Sequence, residues 1–338
     1  MDSGLAERTL VLHVGIHKTA STYIQHRLKG NQPFLKRQGL LYPRLRRDHL
    51  ALVQALRRGE PGPWLELVRQ AAGQGLRPLI SAEVLSVILH QPAADGTGRS
   101  LLGHLQDALG GEGVTLHLVA FVRDQPAYLN SRYTQLIKRL YFTSSFNRYV
   151  MDTLERGGES DCDYERLFGE ALDDPRVRTS FLPFRRGEAD PCERLLTAIG
   201  VEDCAALNPL DQQPNSQPGW QAVWLARRLA VRLQQQHPAA WRDHGCKARL
   251  RDELEQLAAR EGWPAEPFQG VNGYLLGRIE RRFGAGNDRF ARRVWGCAWR
   301  ELFPRSELRP SPAHPRDPQE QQHLEAEAER LLQRCLQP

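Results

Sequence analysis

Short apolar runs and longer mixed stretches alternate along the first two hundred residues. Leu10–Val14, Pro78–Ser81 and Thr115–Val122 are 4–8 residues long, with few polar interruptions, as strands buried on both faces are, and Val177–Leu182 looks like a further strand. Between them lie stretches with helical period. One runs from Ser21 or Thr22, either of which can cap it, to about Lys29, where Gly30-Asn31 stops it. Others cover Pro33–Gln38, Leu50–Gly73 with a break at Pro61-Gly62-Pro63, Leu101–Leu109, Pro126–Leu140 and Cys192–Ile199. Leu129, Tyr133, Leu136 and Leu140 form an apolar stripe expected to face the sheet. From Trp220 the pattern is helical only: about 220–236, 247–261, 271–283 and 287–302, then a Pro- and Arg-rich linker and a polar helix over Glu320–Leu336.

Strand–helix alternation predicts an α/β fold, a parallel sheet flanked by helices, with a helical C-terminal extension. The expected organisation is a core over 1–220, a helical extension over 221–303 packed on it, and a linker with terminal helix over 304–338.

Composition changes this picture little. With 41% apolar and 25% charged residues over 338 positions, the chain is of ordinary globular type. The apolar runs fall far short of the ~18 residues of a membrane span. The start of the chain has no signal-peptide layout, so the expected location is cytoplasmic, with room for peripheral association with a membrane surface. Six cysteines form no C-x-x-C and no zinc spacing with histidine, so they read as scattered reduced thiols, and no metal is expected. The formal charge is +6, and only five of the 46 basic residues are lysines, which makes each lysine the more deliberate choice. Seven arginines lie between Arg278 and Arg300, but the aromatics among them read as buried helix faces. No nucleic-acid partner is expected.

Two segments carry chemistry. The first, His13-Val14-Gly15-Ile16-His17-Lys18-Thr19-Ala20-Ser21-Thr22, joins the first strand to a helix. A helix N-terminus offers unpaired N–H groups and a partial positive charge to an anion. Gly15 allows a tight turn, Lys18 adds a point charge, and Thr19, Ser21 and Thr22 add hydroxyls. A nucleotide-kinase loop would need glycine before the lysine, and His17 stands there. The second is Arg123 at the carboxyl end of the strand Thr115–Val122, with Ser131 on the next helix, a second anion clamp.

The lysine loop together with R-x7-S resembles the sulfotransferases that use 3′-phosphoadenosine 5′-phosphosulfate (PAPS). The likeness is to their bacterial branch, related to capsule and lipopolysaccharide sulfotransferases. Gln25, Gly39 with Leu41-Tyr42-Pro43, His49 before Leu52, Ile80-Ser81-Ala82-Glu83, Tyr164–Gly169, Pro183-Phe184 and Asn215-Ser216 follow in the family's order, so the likeness covers roughly 9–220. Ala20 departs from it, standing where the loop often has glycine.

The resemblance implies a three-layer, P-loop-like sheet and transfer of a sulfuryl group from PAPS, leaving PAP. The acceptor would be a hydroxyl of a polysaccharide, a glycolipid or a small molecule. It implies that the N–H groups of His17, Lys18, Thr19, Ala20, Ser21 and Thr22 hold the 5′-phosphosulfate. Lys18 would neutralise charge on the bridging oxygen, and Arg123 and Ser131 would hold the 3′-phosphate. Glu83, just past its strand, is the favoured general base, with His49 the alternative; His17 either donates to phosphate or acceptor or faces solvent. Two other classes stay open: a non-catalytic relative that binds PAP or a glycan, and a P-loop kinase with an aberrant loop.

Overall fold

A computed structural model describes residues 8–43, 46–94, 96–156, 161–185, 187–210, 217–305 and 307–336. The first seven residues and Asn215-Ser216 therefore lie outside the described residues. The chain forms two compact units built from interleaved segments. One comprises 1–124, 161–213 and 285–304; the other 125–160, 214–284 and 305–338.

The first unit is α/β. Its five strands are β1 (Thr9–His13), β2 (Leu40–Leu41), β3 (Arg77–Ser81), β4 (Thr115–Val122) and β5 (Val177–Pro183). They form one sheet in the order β2-β3-β1-β4-β5, and every pairing is parallel. The two-residue β2 is too short for any apolar period to announce it. Its place is set by Gly39, whose left-handed φ of 72° ends the helix Gln32–Arg37 and whose carbonyl accepts from Arg77 N–H at 2.8 Å.

β1 lies between β3 and β4, with Leu10, Val11 and Leu12 fully buried. Below one face of the sheet, Val11, Leu79, Val119 and Phe121 pack with Ile24 and Leu28 of the helix Ser21–Gly30 and with Leu195 and Leu196 of the helix Pro191–Ala198. In a parallel sheet all strands point one way. The loops after β1, β3 and β4 consequently leave from one edge, and β1 between its neighbours sets the three side by side.

The second unit is helical. It holds the helices Gln125–Lys138, Phe146–Glu155, Trp220–Gln236, His244–Arg260 and Pro318–Leu336. The apolar stripe of the helix Gln125–Lys138 differs from expectation. Tyr133 and Ile137 are buried but Leu136 is only half so, because the stripe serves an aromatic cluster rather than a sheet. Tyr133 sits with its ring centroid 5.1 Å from Phe146, 5.6 Å from Tyr149 and 5.7 Å from Phe268. The helices expected over 271–283 and 287–302 are instead one helix, Gly273–Trp295, followed by a short turn, Trp299–Leu302. Gly284 and Gly286 each cost about 1 kcal/mol relative to alanine, too little to break a helix with a long buried face. Among the described residues no helix is long and apolar enough to cross a membrane.

Candidate active site at the carboxyl edge of the sheet

The loop after β1 is held open by its own backbone. Lys18 and Ala20 take left-handed conformations, with φ of 68° and 62°. An L-residue pays roughly 1–2 kcal/mol for this. Such alternation turns successive N–H groups toward one concavity, the arrangement that binds anions. The Thr19 hydroxyl is not part of that surface: Thr19 is fully buried and donates to the Ile16 carbonyl at 2.6 Å, bracing the turn from inside.

The helix Ser21–Gly30 then starts without the expected Ser or Thr cap. Ala20 is the N-cap, no side chain caps the first turn, and the first turn has no acid to offset the positive end. Gly15 is obligatory for packing: a Cβ there would lie 2.2 Å from Ser21 Oγ and 3.2 Å from Glu83 Cγ.

Arg123, at the end of β4, donates from Nη1 to the Lys18 carbonyl at 2.8 Å, and its guanidinium lies 5.7 Å from the Phe184 ring centroid. The Tyr164 hydroxyl donates to the Arg123 carbonyl at 2.5 Å and fixes the strand end. Next to it Asp124 accepts from Trp299 Nε1 at 2.9 Å. The two elements that the sequence picks out independently, the lysine loop and Arg123, thus meet. Ser131 belongs to the second unit; it is half-buried, and its carbonyl accepts from the Thr134 hydroxyl at 3.0 Å.

Glu83 stands two residues beyond β3, and its Oε2 is 2.9 Å from His17 Nδ1. Burial pushes the Glu83 carboxyl up, but the hydrogen bond and charge of His17, with Lys18 behind it, outweigh that and hold it below the usual carboxylate range. In the neutral ring, a carboxylate accepting from Nδ1–H fixes the tautomer and leaves the lone pair on Nε2.

His49 is placed otherwise. It is 6% exposed, its Nδ1 is 3.4 Å from the Ser81 N–H and its Nε2 is 3.3 Å from the Pro43 carbonyl, so the backbone faces both ring nitrogens. Thr22, His17, Gln25, His26, Lys29 and Glu83 are among the side chains around a cavity of about 350 Å³ beside the loop, with His49 in its wall.

Three further residues support the site, and the sequence assigned none of them a role. His13 ends β1, fully buried, with Nδ1 2.8 Å from the Ser81 hydroxyl; burial lowers its pKa to about 4, so it stays neutral. The Ser86 hydroxyl donates to the carbonyls of Gly15 and Glu83, at 3.0 and 2.8 Å. Tyr164 is the third. His13 begins the lysine-loop segment and Tyr164 the stretch Tyr164–Gly169, so the sequence named both, whereas nothing in it marked Ser86. Among the described residues there is no group of three or more His, Cys, Asp or Glu that could hold a metal ion. No family model matches the chain, and neither does any curated protein or solved structure.

Proposed function

We propose that the first unit is the catalytic centre of a PAPS-dependent sulfotransferase acting on a hydroxyl acceptor. The loop after β1 carries this reading. Its backbone pays to point N–H groups into one concavity, its helix start is left uncapped, and Lys18 and Arg123 converge on it. PAPS, when bound, supplies the sulfuryl group. The N–H groups of residues 17–22 hold the phosphosulfate, and Lys18 stabilises negative charge as it grows on the bridging oxygen. Arg123 takes the 3′-phosphate. Sulfuryl transfer resembles phosphoryl transfer in that positioning and charge stabilisation do most of the work.

The acceptor hydroxyl gives its proton to His17 Nε2, while Glu83 orients the ring and stabilises the imidazolium that results. This revises the choice between Glu83 and His49. Glu83 acts through His17, and His49, engaged by backbone on both nitrogens, shapes the acceptor cavity. Lys29 and His26 also line that cavity, and neither has an ion-pair partner among the described residues. An acceptor that carries a negative charge of its own suits them.

The test is thermal denaturation with PAP and with ATP. A ligand at 100 times its dissociation constant adds about 2.7 kcal/mol. PAP should raise the midpoint far more than ATP, and Lys18→Ala should shrink the PAP shift and remove labelled-sulfate transfer from PAPS. Equal shifts for the two nucleotides would overturn the 3′-phosphate site. A PAP shift with no transfer to any acceptor fraction would favour a binding protein over an enzyme.

A further inference from the structure

The helical unit brings two of the six cysteines together. Cys246, in the first turn of the helix His244–Arg260, and Cys335, in the last turn of the helix Pro318–Leu336, are 89 residues apart in sequence. Their sulfurs lie 3.0 Å apart, and the Cys335 thiol also reaches the Cys246 carbonyl at 3.3 Å. Both are buried, at 2% and 8% exposure. A disulfide has an S–S bond of about 2.05 Å, so closing it asks for a movement of roughly 1 Å. Around the pair the two helices are already registered. Arg249 Nη2 is 3.5 Å from the Cys335 carbonyl, and Arg334 pairs with Glu253 at 3.1 Å. The expectation of six equivalent scattered thiols therefore needs one exception.

We infer that Cys246 and Cys335 are a modification site, at which a small-molecule disulfide of the glutathione class installs an intramolecular cross-link. Cys335 lies at a helix end, where the last turn is held by fewer bonds and opens most readily. Its thiolate attacks the reagent disulfide. The reagent S–S bond breaks, one reagent thiol leaves with a proton, and a mixed disulfide remains on Cys335. Cys246 loses its proton, attacks Cys335 Sγ and expels the second reagent thiol. Two protein thiols are oxidised and one reagent disulfide is reduced to two thiols. Burial and the neighbouring Cys335 raise the pKa of Cys246. The cross-link consequently forms slowly at neutral pH and faster as pH rises. It ties the terminal helix to the helix His244–Arg260 with no change of fold.

The experiment treats the full chain with oxidised glutathione, blocks remaining thiols with an alkylating agent and maps the peptides by mass. The expected result is one linked peptide pair containing Cys246 and Cys335, with four thiols alkylated. Closing a loop of this length is expected to raise the thermal midpoint by on the order of 10 °C over the reduced chain. That rise should be absent in Cys335→Ser and in Cys246→Ser, each compared with its own untreated form. The wild-type map alone is decisive if a variant fails to fold. Six alkylated thiols, glutathione adducts without a link, or a link between other cysteines would each overturn the assignment.

Discussion

Two helices of the first unit start in opposite ways, although they pack on the same face of the sheet. The helix Pro191–Ala198 keeps the local rules for a helix start. Asp190 caps it by accepting from the N–H groups of Cys192 and Glu193 at 2.8 and 3.1 Å, Pro191 occupies the first turn, and Glu193 adds an acid there. The helix Ser21–Gly30 breaks them at its start: Ala20 offers no cap, sits in a conformation alanine disfavours, and no acid lies in the first turn. Local rules are expected to fail where function has first claim on the backbone. The pair also shows what holds the exception in place. Arg27, on the uncapped helix, is 5% exposed and bonds Asp190 at 2.5 Å and Glu193 at 2.9 Å, and Tyr23 donates its hydroxyl to Asp190. The cap of one helix is the anchor of the other.

The largest effect should come from the dyad beside the uncapped end. His17→Gln and Glu83→Gln are each expected to lower sulfate-transfer turnover by roughly 10²–10⁴-fold with PAP affinity nearly unchanged. The double substitution should cost little more than either alone, because the two act as one unit. His49→Gln should retain most of the turnover. The reverse pattern, with His49→Gln inactive and the other two active, would move the base to His49.

At the capped end the cost should appear in stability. Asp190→Ala removes a cap and deprives a buried arginine of its closest partner. Chemical denaturation should show a loss of about 3 kcal/mol, with PAP affinity of the folded protein unaltered. A loss under 1 kcal/mol would mean that Arg27 is held by Glu193 alone.

Acid should act on the sheet behind the loop. His13 and His117 are both buried, and burial lowers each to about 4, with Arg178 and Arg77 adding to the effect at His117. The unfolded chain therefore takes up these protons first. Stability is full above pH 6.5 and falls as pH drops toward 4, by about 3 kcal/mol for each histidine. Urea titrations at pH 7 and pH 4.5 measure this, and His13→Gln should remove about half of the dependence.

The smallest effect falls on the uncapped helix start itself. Ala20→Gly should stabilise the protein by about 1 kcal/mol, since glycine takes the left-handed conformation without penalty. A lower thermal midpoint for this variant would mean that Ala20 is not strained.

The legible part of the molecule was the part ruled by local chemistry. Thr115–Val122 and Trp220–Gln236 have the bounds their patterns predict, because an unbroken apolar run and a continuous stripe leave no competing reading. Lys18, Arg123 and Glu83 could be found because glycine, strand ends and rare lysines mark loops at a sheet edge. The pairing of His17 with Glu83 could not, since the two are 66 residues apart and meet only through the register of β1 with β3. The caps failed as signals at the loop for the opposite reason. Ser21 and Thr22 are good caps by type, but the turn places Ala20 at that position. The division into units was hidden as well. The helix Gln125–Lys138 follows a strand directly, and only its aromatic partners reveal which core it serves.

The place of β1 at the middle of the sheet also sets the order of events during synthesis. Among the five strands β1 is the earliest in the sequence, and it has no neighbour until β3 follows, with His13 and Ser81 separated by 68 residues. The loop beside it gains its arginine only after another stretch of chain, 105 residues beyond Lys18. Contacts at such separations close slowly, because the entropy of the intervening chain must be surrendered first. A ribosome-bound fragment ending before Thr115 therefore exposes β1 with the edge that β4 covers still open. In this topology the step that covers the centre of the sheet is also the step that brings Arg123 to the Lys18 carbonyl.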